Sequence, residues 1–131
     1  MSNKEVIRAA DAPTPVGPYN QAIAVPAGSK LIFLAGQVAI NPTSGKIEAA
    51  GVEAQTEQVI QNIKAVLAAA GADLSHVVKT TVFLANMADF PTMNSIYSKY
   101  FLDPAPARST IQVARLPLDA LVEIECTAAL N

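Results

Sequence analysis

At 131 residues, 51% hydrophobic and 15% charged, the chain has the length of one domain but more apolar surface than so small a body hides alone, which predicts a broad subunit interface. Nine basic residues against eleven acidic ones, a formal charge of -2, argue against capture of a polyanion, so composition does not point to nucleic acid. A single cysteine cannot close an internal disulfide, the polar start Met1 to Glu5 opens no apolar run of signal-peptide length, and no stretch is long enough to span a bilayer; the chain reads as cytoplasmic.

Lys4 to Ala9 predicts a short first strand, and Asp11 to Pro18 an ordered but irregular loop, because Pro13, Pro15 and Pro18 remove backbone donors. Tyr19 to Val25 reads as a strand. The turn Pro26-Ala27-Gly28-Ser29 joins it to an apolar strand from Lys30 to Val38, a predicted hairpin. Leu31-Ile32-Phe33-Leu34-Ala35 is apolar on both faces, which asks for helices on one side and a partner subunit on the other. Asn41 to Lys46 is a surface turn. Its Gly45-Lys46 pair is not a phosphate-binding loop, which needs a glycine at Ile40 and a hydroxyl residue at Ile47.

Val52, Val59, Ile60, Ile63, Val66, Leu67 and Ala70 recur at helical spacing and Gly71 supplies a stop, so a helix is predicted from Val52 to Ala70. His76 to Leu84 is rich in strand formers, and Asp89 caps a second predicted helix whose apolar stripe is Met93, Ile96, Tyr97, Tyr100 and Phe101. Spacing alone assigns these aromatics to the core. One stripe per helix lets both helices cover the same sheet face, a two-layer α+β domain over residues 1–131. The succession of strands and helices suggests a pseudo-repeat that residue identity does not establish.

The chemistry gathers near the C-terminal end. After Pro104-Ala105-Pro106, a strand places Arg108, Thr110 and Gln112 on one face and Ser109, Ile111 and Val113 on the other. From Leu121 to Ala128 the apolar Val122, Ile124, Cys126 and Ala128 alternate with Glu123, Glu125 and Thr127. The short link from Arg115 to Ala120 makes these strands predicted neighbours, and if both apolar faces meet one core, Arg108, Thr110 and Glu123 share a surface: a planar fork for a carboxylate beside an acid/base. On residues alone, a strand arginine and glutamate are more often a structural pair than a catalytic one. His76 reads as structural, and Cys126 lies on the wrong face to replace Glu123 as a reacting group. No metal-ligand cluster or nucleotide loop is recognisable.

Gly17-Pro18-Tyr19-x-Gln21-Ala22, Gly36-Gln37, Thr80-Thr81-Val82-Phe83-Leu84, Asp89-Phe90 with Asn94-x-x-Tyr97, Pro106-Ala107-Arg108-Ser109, Val113-Ala114-Arg115-Leu116-Pro117 and Val122-Glu123-Ile124-Glu125 together resemble the RidA (YjgF-type) family. The match runs in order along nearly the whole chain, and the ordered set is specific where each piece is weak. The resemblance implies a chorismate-mutase-like α+β subunit, a two-layer sandwich of a mixed, mainly antiparallel sheet with two helices on one face. It also implies a homotrimer with its sheets packed into a central barrel and pockets between subunits. The implied activity is hydrolysis of reactive 2-enamine and 2-imine acids, such as 2-aminoacrylate and 2-iminobutanoate, to 2-keto acids and ammonia, with no cofactor. By the same resemblance Arg108 grips the substrate carboxylate, helped by backbone N–H groups near Gly36 and Thr110. Glu123 handles the water and the protons, Tyr19 lines the pocket across the interface, and Asn94 forms its wall.

Two positions depart from the family's pattern: Thr110, where many members carry cysteine, and Ala35, where many carry serine. Both bear on substrate preference and rate, while the carboxylate fork and the acid/base of the implied chemistry remain. Two other classes stand beside the enzyme: a module that binds 2-keto acids without turnover, and a ribonuclease or translation inhibitor. The acidic balance and the lack of paired histidines weigh against the last.

Overall fold

The computed structural model describes residues 4–131; the polar start at residues 1–3 lies outside them. Two short strands, β1 (Glu5–Ile7) and β2 (Ala22–Ala24), pair antiparallel. The main sheet holds β3 (Lys30–Gln37), β4 (Val77–Leu84), β5 (Ala107–Gln112) and β6 (Val122–Leu130) in the order β3-β6-β4-β5. Helix α1 (Gly51–Ala69) precedes β4 and helix α2 (Phe90–Tyr100) follows it. Only β4 and β5 run parallel, because α2 carries the chain back between them as a βαβ crossover; the other ladders are antiparallel.

The hairpin expected from the Pro26–Ser29 turn does not form. β2 pairs with β1, and β3 pairs with β6 over Lys30↔Leu130 to Gln37↔Ile124. Ladder length decides this: three residues of β2 offer far fewer hydrogen bonds than the nine of β6, and turn chemistry alone does not report the competitor.

Helix α1 follows its sequence pattern. Val52, Val59, Ile60, Ile63 and Leu67 are buried. At its end Gly71 turns left-handed at φ +77°, where its N–H donates to Ala68 O and that of Ala72 to Leu67 O, satisfying the last carbonyls. The expected cap at Asp89 is replaced. Asp89 already has helical dihedrals and its side chain makes no cap bond, because a 3₁₀ turn (Met87–Asp89) leads into α2. Asn86, in extended conformation, accepts from the Ala88 N–H instead.

Met93, Ile96 and Tyr97 from α2 and Phe101 just after it join the α1 stripe, Val77, Val82 and Leu84 of β4 and Val122, Ile124, Cys126 and Ala128 of β6 in one buried cluster, so both helices cover the same face. Tyr100 is only partly buried, and its hydroxyl donates to Glu57. The other face stays largely open, covered only near Phe83, where Val38, Leu116 and Ala120 form a small second cluster. Phe33 is 74% exposed, Leu31 47% and Ile111 44%, the doubly apolar sheet that the sequence predicts. His76 closes a reciprocal cap with Asp73, its Nδ1 accepting from the Asp73 N–H while Asp73 accepts from Ser75, in keeping with a structural role.

Candidate functional site

β5 and β6 are not neighbours, because β4 lies between them. Thr80, Val82 and Leu84 of β4 sit opposite Arg108, Thr110 and Gln112 of β5 and opposite Cys126, Ile124 and Val122 of β6. Residues opposite one another share a face, so Arg108, Thr110 and Gln112 project to the helix side, whereas Glu123 and Glu125, opposite Phe83 and Thr81, project to the open side. The single surface expected for Arg108, Thr110 and Glu123 is therefore corrected. The premise that failed is that Ile111 marks the core face; on the edge strand β5 it points outward with Phe83, and the polar face goes under α2.

On the helix side, the Arg108 guanidinium is enclosed by aromatic rings. Its Cζ lies 4.7 Å from the ring centre of Tyr97, 5.5 Å from that of Phe90 and 5.7 Å from that of Tyr19. Nη1 donates to Asn94 Oδ1 at 2.7 Å. Among the described residues no acidic side chain pairs with Arg108, and burial pulls its pKa down from the usual arginine value. Arginine nonetheless remains charged at any ordinary pH. Thr110, two residues along on the same face, has a buried hydroxyl with no hydrogen-bond partner.

Tyr19 comes from the chain's own proline-rich loop, so its approach to Arg108 involves no interface. Gln21 ties that loop down, its Oε1 accepting from the Ala9 N–H at 2.7 Å and its Nε2 donating to Pro13 O at 2.7 Å and Ala9 O at 3.3 Å, and the Tyr19 hydroxyl accepts from the Val16 N–H at 3.4 Å. Gly17 then passes close enough that a Cβ there would touch Arg108 Nη2 and the Tyr19 ring at 3.6–3.7 Å.

On the open side, β3 bulges. Leu34 pairs with Cys126 and Gln37 with Ile124, so Ala35 and Gly36 together oppose the single Glu125. Glu123 lies directly over Gly36, and a Cβ built there would overlap the Glu123 carboxylate; the glycine makes room for the acid. Thus Tyr19, Asn94, Arg108 and Thr110 form one group, Gly36 and Glu123 another, with the sheet between them. Phe90, Tyr97 and Thr80 belong to the first group and carry no periodicity signal that separates them from core. The βαβ register, which sets Thr80 opposite Arg108, is what reveals them.

A cavity of about 660 Å³ lies elsewhere, lined by Lys4, Lys64, Asp73, Tyr100, Leu102, Asp103 and neighbours, and opens onto neither group. Its two lysines and two aspartates leave no charge preference.

The family model described as Endoribonuclease L-PSP matches residues 9–130. This chain belongs to that family, the YjgF/RidA proteins. Among its members, Reactive Intermediate Deaminase A, chloroplastic, of Arabidopsis thaliana is 54% identical over 127 residues, 97% of this chain and 66% of that protein. The mouse protein named 2-iminobutanoate/2-iminopropanoate deaminase is 45% identical over 95% of this chain and 90% of its own length. The crystal structure of E. coli TdcF with bound serine superposes with a TM-score of 0.72 at 38% identity, covering 97% of this chain and 99% of the other. YjgF/RidA membership thus accounts for the α+β arrangement of two helices on a mixed sheet.

Proposed function

We propose that this protein hydrolyses reactive 2-enamine and 2-imine acids, 2-aminoacrylate and 2-iminobutanoate among them, to 2-keto acids and ammonia. The observation that carries the reading is the half-buried Arg108 guanidinium, walled by aromatics, bonded to the neutral Asn94 and paired with no acidic side chain among the described residues. Such a cation is completed by an anion from outside, and a planar fork suits a carboxylate. The names of the plant and mouse relatives, and the serine bound to the E. coli structure, support a small amino-acid-derived carboxylate.

Glu123 works with Arg108 only if two copies meet, because each copy holds the two groups on opposite sheet faces. We take the functional unit to be a homotrimer of one-domain, chorismate-mutase-like subunits. Its open sheet faces, with Phe33, Leu31 and Ile111, bury one another in a central barrel and bring Glu123 and Gly36 of one subunit toward Arg108 of the next. In that pocket the enamine first takes a proton at C3 and gives one up from its nitrogen, becoming the imine. Arg108 and backbone N–H groups of the Gly36 bulge and of Thr110 hold the carboxylate. Glu123 draws a proton from water as its oxygen bonds to C2 of the imine, and the imine nitrogen gains a proton. The carbinolamine then collapses: Glu123 passes its proton to the nitrogen, the C2–N bond breaks to release ammonia, and the C2 hydroxyl yields its proton to water as C2–O becomes the keto carbonyl. Water is the only co-reactant and no cofactor takes part. The cytoplasm, where pyridoxal-phosphate dehydratases release such acids, is the compartment this reading assigns.

The second reading, 2-keto-acid binding without turnover, is favoured by one observation: a single copy holds the Arg108 group on a different sheet face from Glu123. The two separate by experiment. 2-Iminobutanoate generated by a threonine dehydratase is mixed with the purified protein, and keto-acid release above the spontaneous rate is followed beside sedimentation at micromolar concentration. Turnover by a trimer supports the enzyme; binding of 2-oxobutanoate without turnover supports the module, and a monomer would sink the shared pocket.

A further inference from the structure

Resting on Arg108 as the carboxylate grip, we propose that Tyr97 is its positioning residue, fixing the plane of the guanidinium through a closed circuit with Thr80. An arginine side chain is long and flexible, and a single hydrogen bond, here to Asn94, fixes one point of the fork but not its plane. The Tyr97 ring, against which the guanidinium lies, supplies the second constraint. Of the three rings it is the nearest, at 4.7 Å, and it is fully buried. Its own position is fixed twice: the ring stacks on Phe101 at 4.3 Å and 22°, and the hydroxyl shares a 2.8 Å hydrogen bond with Thr80 Oγ1.

Thr80 is also the residue opposite Arg108 in the parallel ladder. The circuit therefore runs from the Arg108 backbone across the ladder to Thr80, through the hydroxyl pair to Tyr97, and from the ring back to the Arg108 guanidinium. Both ends of the arginine side chain are referred to one rung of the sheet. Burial raises the Tyr97 pKa to about 12, so the ring stays neutral and keeps its hydroxyl proton across the working pH range. An arginine held this way meets a carboxylate without first losing rotamer freedom, so the circuit acts on ligand affinity rather than on the proton-transfer step.

The test measures 2-oxobutanoate binding by calorimetry beside KM and kcat for 2-iminobutanoate, with melting temperature recorded for each variant. Tyr97→Leu, which removes the ring, is expected to weaken 2-oxobutanoate binding and raise KM about tenfold with kcat within about twofold. Tyr97→Phe and Thr80→Val each cut the circuit at the same bond. Each should cost about threefold in affinity, and the double variant no more than either alone. Lower melting temperatures with unchanged affinity in Tyr97→Phe and Thr80→Val would mark Tyr97 as core and overturn the proposal, whether or not Tyr97→Leu folds. A parent protein that binds 2-oxobutanoate without turning over the imine removes the deaminase reading alone, since the titrations still decide this one. A parent that binds no carboxylate overturns both.

Discussion

The two faces of the sheet solve different problems with the same strands. Toward the helices, Arg108 is surrounded within one copy by Tyr19, Phe90, Asn94 and Tyr97. Toward the open side, Glu123 rests over Gly36 and opposite Phe83, on a face whose far end carries the largely exposed Phe33. The first face is covered by the chain's own helices; the second is left largely uncovered in a single copy. On the proposed reading, recognition by Arg108 and proton transfer by Glu123 can thus be damaged separately.

The largest expected effect is on the open face. Glu123→Gln keeps the shape of the side chain and removes its basicity, so turnover should fall by roughly 10²–10⁴-fold with 2-oxobutanoate affinity retained, while Glu125→Gln changes little. Equal rates for Glu123→Gln and the parent would take Glu123 out of the chemistry. Next comes Gly36→Ala, whose methyl group overlaps the carboxylate. Gly36 is exposed, so the melting temperature should hold while the displaced acid loses about 10² in rate; an unchanged rate would mean that Glu123 does not act from its place over the bulge.

On the helix face, Arg108→Lys keeps the charge and loses the fork. The loss should appear in KM rather than kcat and correspond to about 1.5–3 kcal/mol of binding. Wild-type KM in this variant would reject carboxylate recognition by Arg108. The smallest effect belongs to Thr110→Val, which replaces an unpartnered buried hydroxyl by a methyl of similar size. It should stabilise the ligand-free protein by about 1 kcal/mol in denaturant unfolding; a loss of stability there would show that the hydroxyl has a partner in solution.

The sequence announced these faces unevenly. Helix α1, its Gly71 stop and the doubly apolar β3 were legible because burial imposes periodicity and a left-handed turn selects glycine. The hairpin misled, since a turn signal between Val25 and Lys30 says nothing about a longer ladder waiting at Val122–Leu130. The strand carrying Arg108 misled for a related reason. Ile111 and Val113 announce an apolar face, and alternation cannot tell a face buried by the chain's own helices from one exposed as Ile111 is. Tyr97 was hidden differently: a ring that belongs to the core and a ring that also backs a guanidinium leave the same helical spacing.

The βαβ crossover also bears on the order of folding. Thr80, Phe90, Asn94, Tyr97 and Arg108 come from one continuous stretch joined by α2, whereas Gly36 and Glu123 are brought together by a ladder linking distant parts of the chain. Local contacts close with less loss of chain entropy than distant ones. In pulse-labelling hydrogen exchange during refolding, amides of α2 and the β4–β5 ladder should gain protection before those of β3. The arginine cage would then form first and the floor beneath Glu123 last, so that on the proposed reading the carboxylate grip is in place before the strand that positions the acid.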